Sequence, residues 1–442
     1  MEENNSQIKI KLTTVIVLIL LVLIIIFGVL LVIFNKNNES KSNQIDEGNS
    51  TQSEYQPTDI KKDTNTNYSD TEFSFKFLKI ENNRKNMIYS PLSIKHALEM
   101  LNEGASGNTK IEIEKVIKEF NLTKYSNVND VLSLANGLYI RDRYSSFVKN
   151  EYKNTLQNKY NAEIKYDAFE NASNVNKWIE NKTLGIIKNM IDDSIVQDPN
   201  TEMLLINALA IDMEWENQFE GSKTYGEKFN LNNGNTMTAT MMHNETSSDN
   251  ISFYKDKNVT SLTMDLKKYD NTQLEFIAIM PNKDLSEYVR DFTINELNNI
   301  TKDSKSASKT KYGVNISIPK FSFDYDLALK DDLINIGIKD AFDENFADFS
   351  NMTNSPIGLY VSDALHKANI DFTEKGVKAA AATVIVMTDK AMIANQTKPE
   401  EIKIDKPFMY IIRDKQTGEI WFVGTVYEPN SWENDKADYQ YR

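Results

Sequence analysis

The side chains able to do covalent or acid–base chemistry are few and poorly placed for it. In 442 residues there are three imidazoles, His96, His243 and His366, and no cysteine. Thiol catalysis, disulfides and cysteine-type zinc sites are therefore excluded. Ser106 stands in the run Gly-Ala-Ser-Gly, where a nucleophile elbow needs Gly-x-Ser-x-Gly after a strand. The second glycine comes one residue early, and no strand is expected before it. No glycine-rich phosphate loop or metal-ligand spacing occurs. No catalytic residue, metal or cofactor is assigned, and the chain is not read as an enzyme.

A different kind of activity is written into residues 374–383, Glu-Lys-Gly-Val-Lys-Ala-Ala-Ala-Ala-Thr, which run on into Val384, Ile385 and Val386. Alanine is the best helix former, yet the β-branched residues that follow prefer a strand. Gly376 offers the backbone a pivot. Read with period two, Val377, Ala379, Ala381, Thr383 and Ile385 share one uncharged face, and Lys378, Ala380, Ala382 and Val384 share the other. The first face can enter a sheet interior without burying a charge, while Lys378 stays in water. On these ten residues alone, an Ala-rich surface helix is an equal reading.

The elements that would position such a segment can be read from pattern. Phe73, Phe77 and Ile80 have helical spacing. Residues 86–98 read as a short strand into a helix, capped by Ser90 with Pro91 at the first helical position. The apolar run over 203–219 suits a strand buried on both faces, as does 276–281. Residues 359–372 alternate as a strand running straight into the segment above, and 402–413 and 419–429 are two strands about a turn at 415–418. By spacing alone Asn207 is a satisfied core amide, Trp215 a packed indole and His366 a satisfied histidine rather than a catalytic one.

Residues 374–383 resemble the hinge of the reactive-centre loop of serpins, which are themselves an established example of strand addition to a sheet. Other stretches resemble serpins too. They include Asn-x-x-x-Ser-Pro-x-Ser-Ile at 86–94, Gly-x-x-Gly-Asn-Thr at 104–109, Thr-x-Gly-x-Ile at 183–187 and the Asn-Ala and Trp of 203–219. Phe-Ala-Asp-Phe-Ser at 346–350, His-Lys at 366–367, Lys-Pro-Phe at 406–408 and Phe-x-Gly-x-Val at 422–426 complete the set. The resemblance covers essentially all of residues 70–430. It implies an α+β serpin fold: a large central, mostly antiparallel sheet, further sheets, about eight or nine helices and an exposed loop.

The resemblance further implies that Ser90, Ser93, Asn207 and His366 cluster where the central sheet opens, with His366 hydrogen-bonded across strands to Asn207, and that Trp215 marks the loop's entry. The hinge would comprise Glu374, Gly376, Val377, Ala379, Ala380, Ala381, Ala382 and Thr383. Val377 and Lys378 depart from the small-or-Thr and Glu residues common there, and neither should block insertion.

The implied activity is single-use inhibition of a serine protease. Counting forward from Glu374 by the usual serpin distance puts the cut between Lys390 and Ala391, whereas counting back from Pro407 gives a site near Gln396. The forward count is preferred, because the inserted length must match the sheet. Lys390 suits a trypsin-like acidic pocket, and the runners-up Met387 and Met392 suit subtilisin-like or chymotrypsin-like proteases. A non-inhibitory binding protein of serpin fold and a cross-class inhibitor of cysteine proteases are the alternatives.

Residues 13–34 carry no charge and are almost wholly Val, Leu and Ile. Such a run spans roughly 33 Å, enough to cross a bilayer, and no small-residue cleavage site follows it. It is read as a retained transmembrane anchor between a cytoplasmic amino terminus, 1–12, and a polar linker, 35–69, with the body at 70–430 extracellular and a polar tail at 431–442 without assigned function. The Lys, Asn and Ile usage suits a bacterial cell-surface protein. Fifty basic against 64 acidic residues, a net charge of −14, argue against a nucleic-acid binder. The protein is expected to act as a monomer on its protease.

Overall fold

The computed structural model describes residues 72–117, 125–377 and 398–439. The expected anchor 13–34, the expected linker 35–69 and, from the expected loop, Ala379 to Thr383, Met387, Lys390, Ala391 and Met392 lie outside the described residues. Among the described residues no helix is long and apolar enough to cross a membrane.

The largest sheet has seven strands, in the order β1 (Met87–Tyr89), β18 (Ile420–Val426), β17 (Phe408–Asp414), β10 (Leu274–Pro281), β9 (Val259–Asp265), β8 (Ile251–Lys255) and β11 (Lys305–Ser306), all paired antiparallel. Its centre is apolar on both faces because each face meets a different core. Ile277 and Ile279 of β10 enter one core with Met409 and Ile411 of β17. Phe276 and Ala278 enter the other with Tyr410 and Ile412. Period-two alternation thus feeds two cores and reads in sequence as one continuous apolar run. The turn between β17 and β18 falls at the expected 415–418, with Gly418 at φ +77°.

A second sheet has the order β16 (Glu400–Lys403), β12 (Val314–Pro319), β7 (Thr236–Thr246), β6 (Thr224–Asn230). The expected large central sheet is divided. Three strands form β3 (Glu163–Asp167), β2 (Leu132–Arg141), β4 (Met203–Ile211); four others form β13 (Phe321–Ala328), β14 (Leu365–Phe372), β15 (Gly376–Val377), β5 (Met213–Glu214). Since β5 continues β4 after a single residue, the two are halves of one layer, joined at one end through β5, β15 and β14 and parted between β4 and β14.

β14 is shorter than its sequence pattern suggested, beginning at Leu365. Its alternate residues His366, Ala368, Ile370 and Phe372 are buried. At least ten α-helices occur among the described residues, more than the eight or nine expected, because several have only four or five residues. Helix Pro91–Gly104 starts as its sequence dictates: Oγ of Ser90 accepts from the backbone N–H of Ser93 at 3.1 Å, and Pro91 occupies the first turn.

Candidate functional site

Two groups of residues lie where β4 and β14 part. The first, at the head of the parting, is the stretch expected to be a hinge. Thr373 donates its N–H to the carbonyl of Gly376 at 3.0 Å, closing a turn. β15 then pairs with β14 through Val377 and Phe372, and with β5 through Gly376 and Glu214 and through Val377 and Met213. Val377 is buried in the core that holds Trp215 and Phe372. A Cβ on Gly376 would stand 2.1 Å from the Met213 carbonyl oxygen. The glycine is therefore required for close approach, and a pivoting backbone is not its reason: Gly376 is absent from the glycines at positive φ.

Trp215 clamps this turn and is fully buried. Its backbone N–H donates to the Lys375 carbonyl at 2.8 Å, and its indole Nε1–H donates to the Thr373 carbonyl at 2.9 Å. The ring lies edge-on to Phe372, with centroids 5.2 Å apart. The Phe219 N–H donates to the Glu374 carbonyl at 2.9 Å.

The second group lies at the amino end of helix Pro91–Gly104, beneath the sheet. Ser93 Oγ donates to Asn207 Oδ1 on β4, and Asn207 Nδ2 donates to Asn136 Oδ1 on β2 at 2.7 Å. Asn136 Nδ2 in turn donates to the Tyr160 carbonyl at 2.8 Å. On the other side, the Ser90 N–H donates to His366 Nε2 on β14 at 2.9 Å. The structure thus brings Ser90, Ser93, Asn207 and His366 together in a different order from that expected. His366 bonds the helix terminus, and the helix links β14 to β4 where a direct His366 to Asn207 bond had been foreseen. Burial pushes His366 down to about 4, so the ring is neutral at neutral pH.

A small cavity lies at the parting, lined by Leu209, Ile211, Ile370 and Val377 with Ile88 and Phe422 beneath. Its lining is mainly apolar, with Asn369 and Asp371 of β14 also on its wall. Sequence reading missed Asn136, although a polar residue in the apolar strand run 136–140 was a signal. It also missed Tyr439, whose hydroxyl donates to the Glu374 carboxylate.

The remaining candidates are structural. Ser106 donates its N–H to the Asp348 carbonyl at 2.8 Å, and Thr109 Oγ1 accepts from the Asp348 N–H at 2.9 Å, tying 104–109 to 346–350. His96 is buried with neither ring nitrogen hydrogen-bonded among the described residues, and burial and Lys95 push it down to about 4. His243 Nδ1 meets Ser317 Oγ at 2.8 Å and the ring stacks on Tyr225. Among the described residues no cluster of His, Asp or Glu is suited to a metal.

Residues 68–429 match the family model described as Serpin (serine protease inhibitor). The chain belongs to the serpin family. An uncharacterized serpin-like protein of Methanosarcina mazei is 30% identical over 370 residues, 79% of this chain and 83% of that protein. The native state of tengpin, a thermophilic serpin, superposes with a TM-score of 0.69 at 28% identity over 88% of this chain and 98% of tengpin. Thyroxine-binding globulin in complex with thyroxine gives 0.69 at 28% identity, over 83% and 99%. In this serpin, Gly376 and Val377 of the expected hinge form β15, and among the described residues no pairing joins β4 to β14.

Proposed function

We propose that this serpin inhibits serine-type endopeptidases as a single-use substrate. The supporting observation is β15, which already occupies the position between β5 and β14 at the head of the parting. A protease with an acidic specificity pocket attacks the Lys390–Ala391 peptide bond. The Lys390 carbonyl forms an ester with the protease's own serine, and the new amino group of Ala391 leaves with the proton. Met387 and Met392 present alternative bonds to subtilisin-like or chymotrypsin-like enzymes.

Once cut, the chain beyond Val377 is free to continue β15 between β4 and β14. Each backbone hydrogen bond gained contributes about 0.5–1.5 kcal/mol net; the mechanism requires that the ladder and the burial it brings exceed the cost of ordering the segment, so that the uncut fold is metastable. The attached protease is carried along before water releases it. The protein works as a monomer, held at the cell surface by residues 13–34 with its body outside.

The test is to incubate the full chain with trypsin and with subtilisin and to separate the products on denaturing gels with mass analysis. A band at the summed mass that survives denaturation supports trapping, and the mass of the released carboxy-terminal peptide reports the bond. Cleaved product alone, with every protease tried, would instead favour a non-inhibitory binding protein of serpin fold. Fractionation with membranes, abolished on deleting 13–34, tests the anchor.

A further inference from the structure

The polar carboxy-terminal tail, left without a role by its composition, is seated on the body and reaches the hinge. Asn430 donates its N–H to the Lys320 carbonyl at 2.9 Å and accepts from the Thr240 N–H at 3.0 Å, and Ser431 forms a bridge with Ala239 of β7. Trp432 then packs against Gly226 of β6, where a Cβ would stand 2.5 Å from the indole. The ring of Tyr439 packs on Trp432, with centroids 5.5 Å apart, and under the Lys320 ammonium, 5.5 Å from the ring centre. Lys320 Nζ donates to the Tyr439 hydroxyl at 3.1 Å, and that hydroxyl donates to Oε1 of Glu374.

The seat is therefore built at both ends. One end is fixed by backbone pairing on β7 and a glycine cut to fit an indole. The other is fixed by a relay from Lys320 through Tyr439 to Glu374, two residues before β15. Glu374 is the same residue whose carbonyl accepts from Phe219. A cation polarises the phenol, and the phenol donates to a carboxylate, so each bond in the relay strengthens the next.

We propose that residues 431–439 are a latch that holds the turn 373–376, and with it β15, in the entered position between β5 and β14. The body and the hinge are coupled through Tyr439, and releasing the tail loosens the turn 373–376.

The test needs no protease, so it stands or falls separately from the inhibitory reading. Amide hydrogen exchange is measured on the full chain, on Tyr439→Phe, on Lys320→Met and on a chain ending at Asn430. The informative amides are those of Trp215 and Phe219, which donate to Lys375 and Glu374. Loss of a hydrogen bond to a carboxylate is expected to speed their exchange about tenfold in Tyr439→Phe, and by more on truncation. The Ile411 amide, in the middle of the seven-stranded sheet, is expected to keep its rate. A synthetic peptide of residues 431–442 added to the truncated chain should restore protection. Unchanged exchange at Trp215 and Phe219, or acceleration spread equally to Ile411, overturns the latch.

Discussion

Ser90 and His366 lie 276 positions apart and meet in one hydrogen bond, from the Ser90 backbone N–H to Nε2 of the imidazole. A nitrogen that accepts carries no proton, so this contact requires a neutral ring with its hydrogen on Nδ1. It fastens β14 to the helix that also holds Asn207 of β4 through Ser93. The two edges of the parting therefore share one anchor beneath the sheet.

Acid should loosen that anchor. Burial lowers His366 from 6.5 to about 4, so the unfolded chain takes the proton first. Its contribution is complete above the ordinary histidine value and is lost as pH falls through the window from 6.5 to about 4. His96, lowered to about 4, acts in the same window. Unfolding free energies from denaturant titration are expected to fall across it, by on the order of 3 kcal/mol for each histidine at the acid end. His366→Gln should remove its share of the slope; an unchanged slope would exclude it as the cause.

Gly376→Ala places a methyl 2.1 Å from the Met213 carbonyl oxygen and 2.7 Å from the Glu214 Cα, both of them backbone. Neither can yield as a flexible side chain would, so β15 is expected to leave its place. The cost is about 1–3 kcal/mol, read from the denaturant midpoint. Gly358→Ala, with nothing within 4 Å, is the near-neutral control. Equal midpoints for the two variants would mean that the approach of β15 to β5 is not tight.

Much of this site is visible in the sequence, for reasons that differ by residue. Ser90 and Pro91 announce a helix start because capping is local chemistry. The runs of β10 and β17 announce buried strands because both faces are apolar. Val377 is burial-competent by its own side chain. The division of the central sheet is not visible, because β4 pairs with β2 on one edge and β14 with β13 on one edge and with β15 only at Phe372, and the state of the remaining edge depends on where distant residues lie. The His366 partner was misassigned for a related reason: hydrogen-bond capacity is written in a side chain, while the choice of partner is set by packing. The tail was passed over because its composition is polar, and only Trp432 and Tyr439, seven positions apart, hinted at a seat.

Asn207→Ala would leave Ser93 Oγ and the buried Asn136 Oδ1 each short of a partner. A loss of about 1–3 kcal/mol is expected in urea denaturation. Ser93→Ala removes the same contact from the other side, so the double variant should cost less than the sum of the singles. Strict additivity would mean that the Ser93 to Asn207 bond contributes nothing to holding β4.

The decisive pair of substitutions separates which protease is met from what happens to it. Lys390→Ala alters only the residue offered to the specificity pocket, so trapping of trypsin should fall by at least about a hundredfold while the hinge is untouched. Val377→Asp does the reverse. Val377 is 3% exposed, in the core with Trp215 and Phe372, and burying a carboxylate there costs several kcal/mol. The loop of this variant should still be cut at the unaltered rate, because the scissile bond lies many residues away. The cut chain, however, should release its protease and show no rise in heat resistance, because β15 cannot lead the strand inward. Val377→Ala, small and uncharged, should trap as the unaltered chain does. If Val377→Asp trapped trypsin as well as the unaltered protein, entry of the hinge between β5 and β14 would not be the step that inhibits. If Lys390→Ala left trypsin trapping unchanged while Val377→Asp abolished it, insertion would stand and the bond trypsin cuts would have to follow another basic residue, since Met387 and Met392 suit subtilisin-like or chymotrypsin-like enzymes.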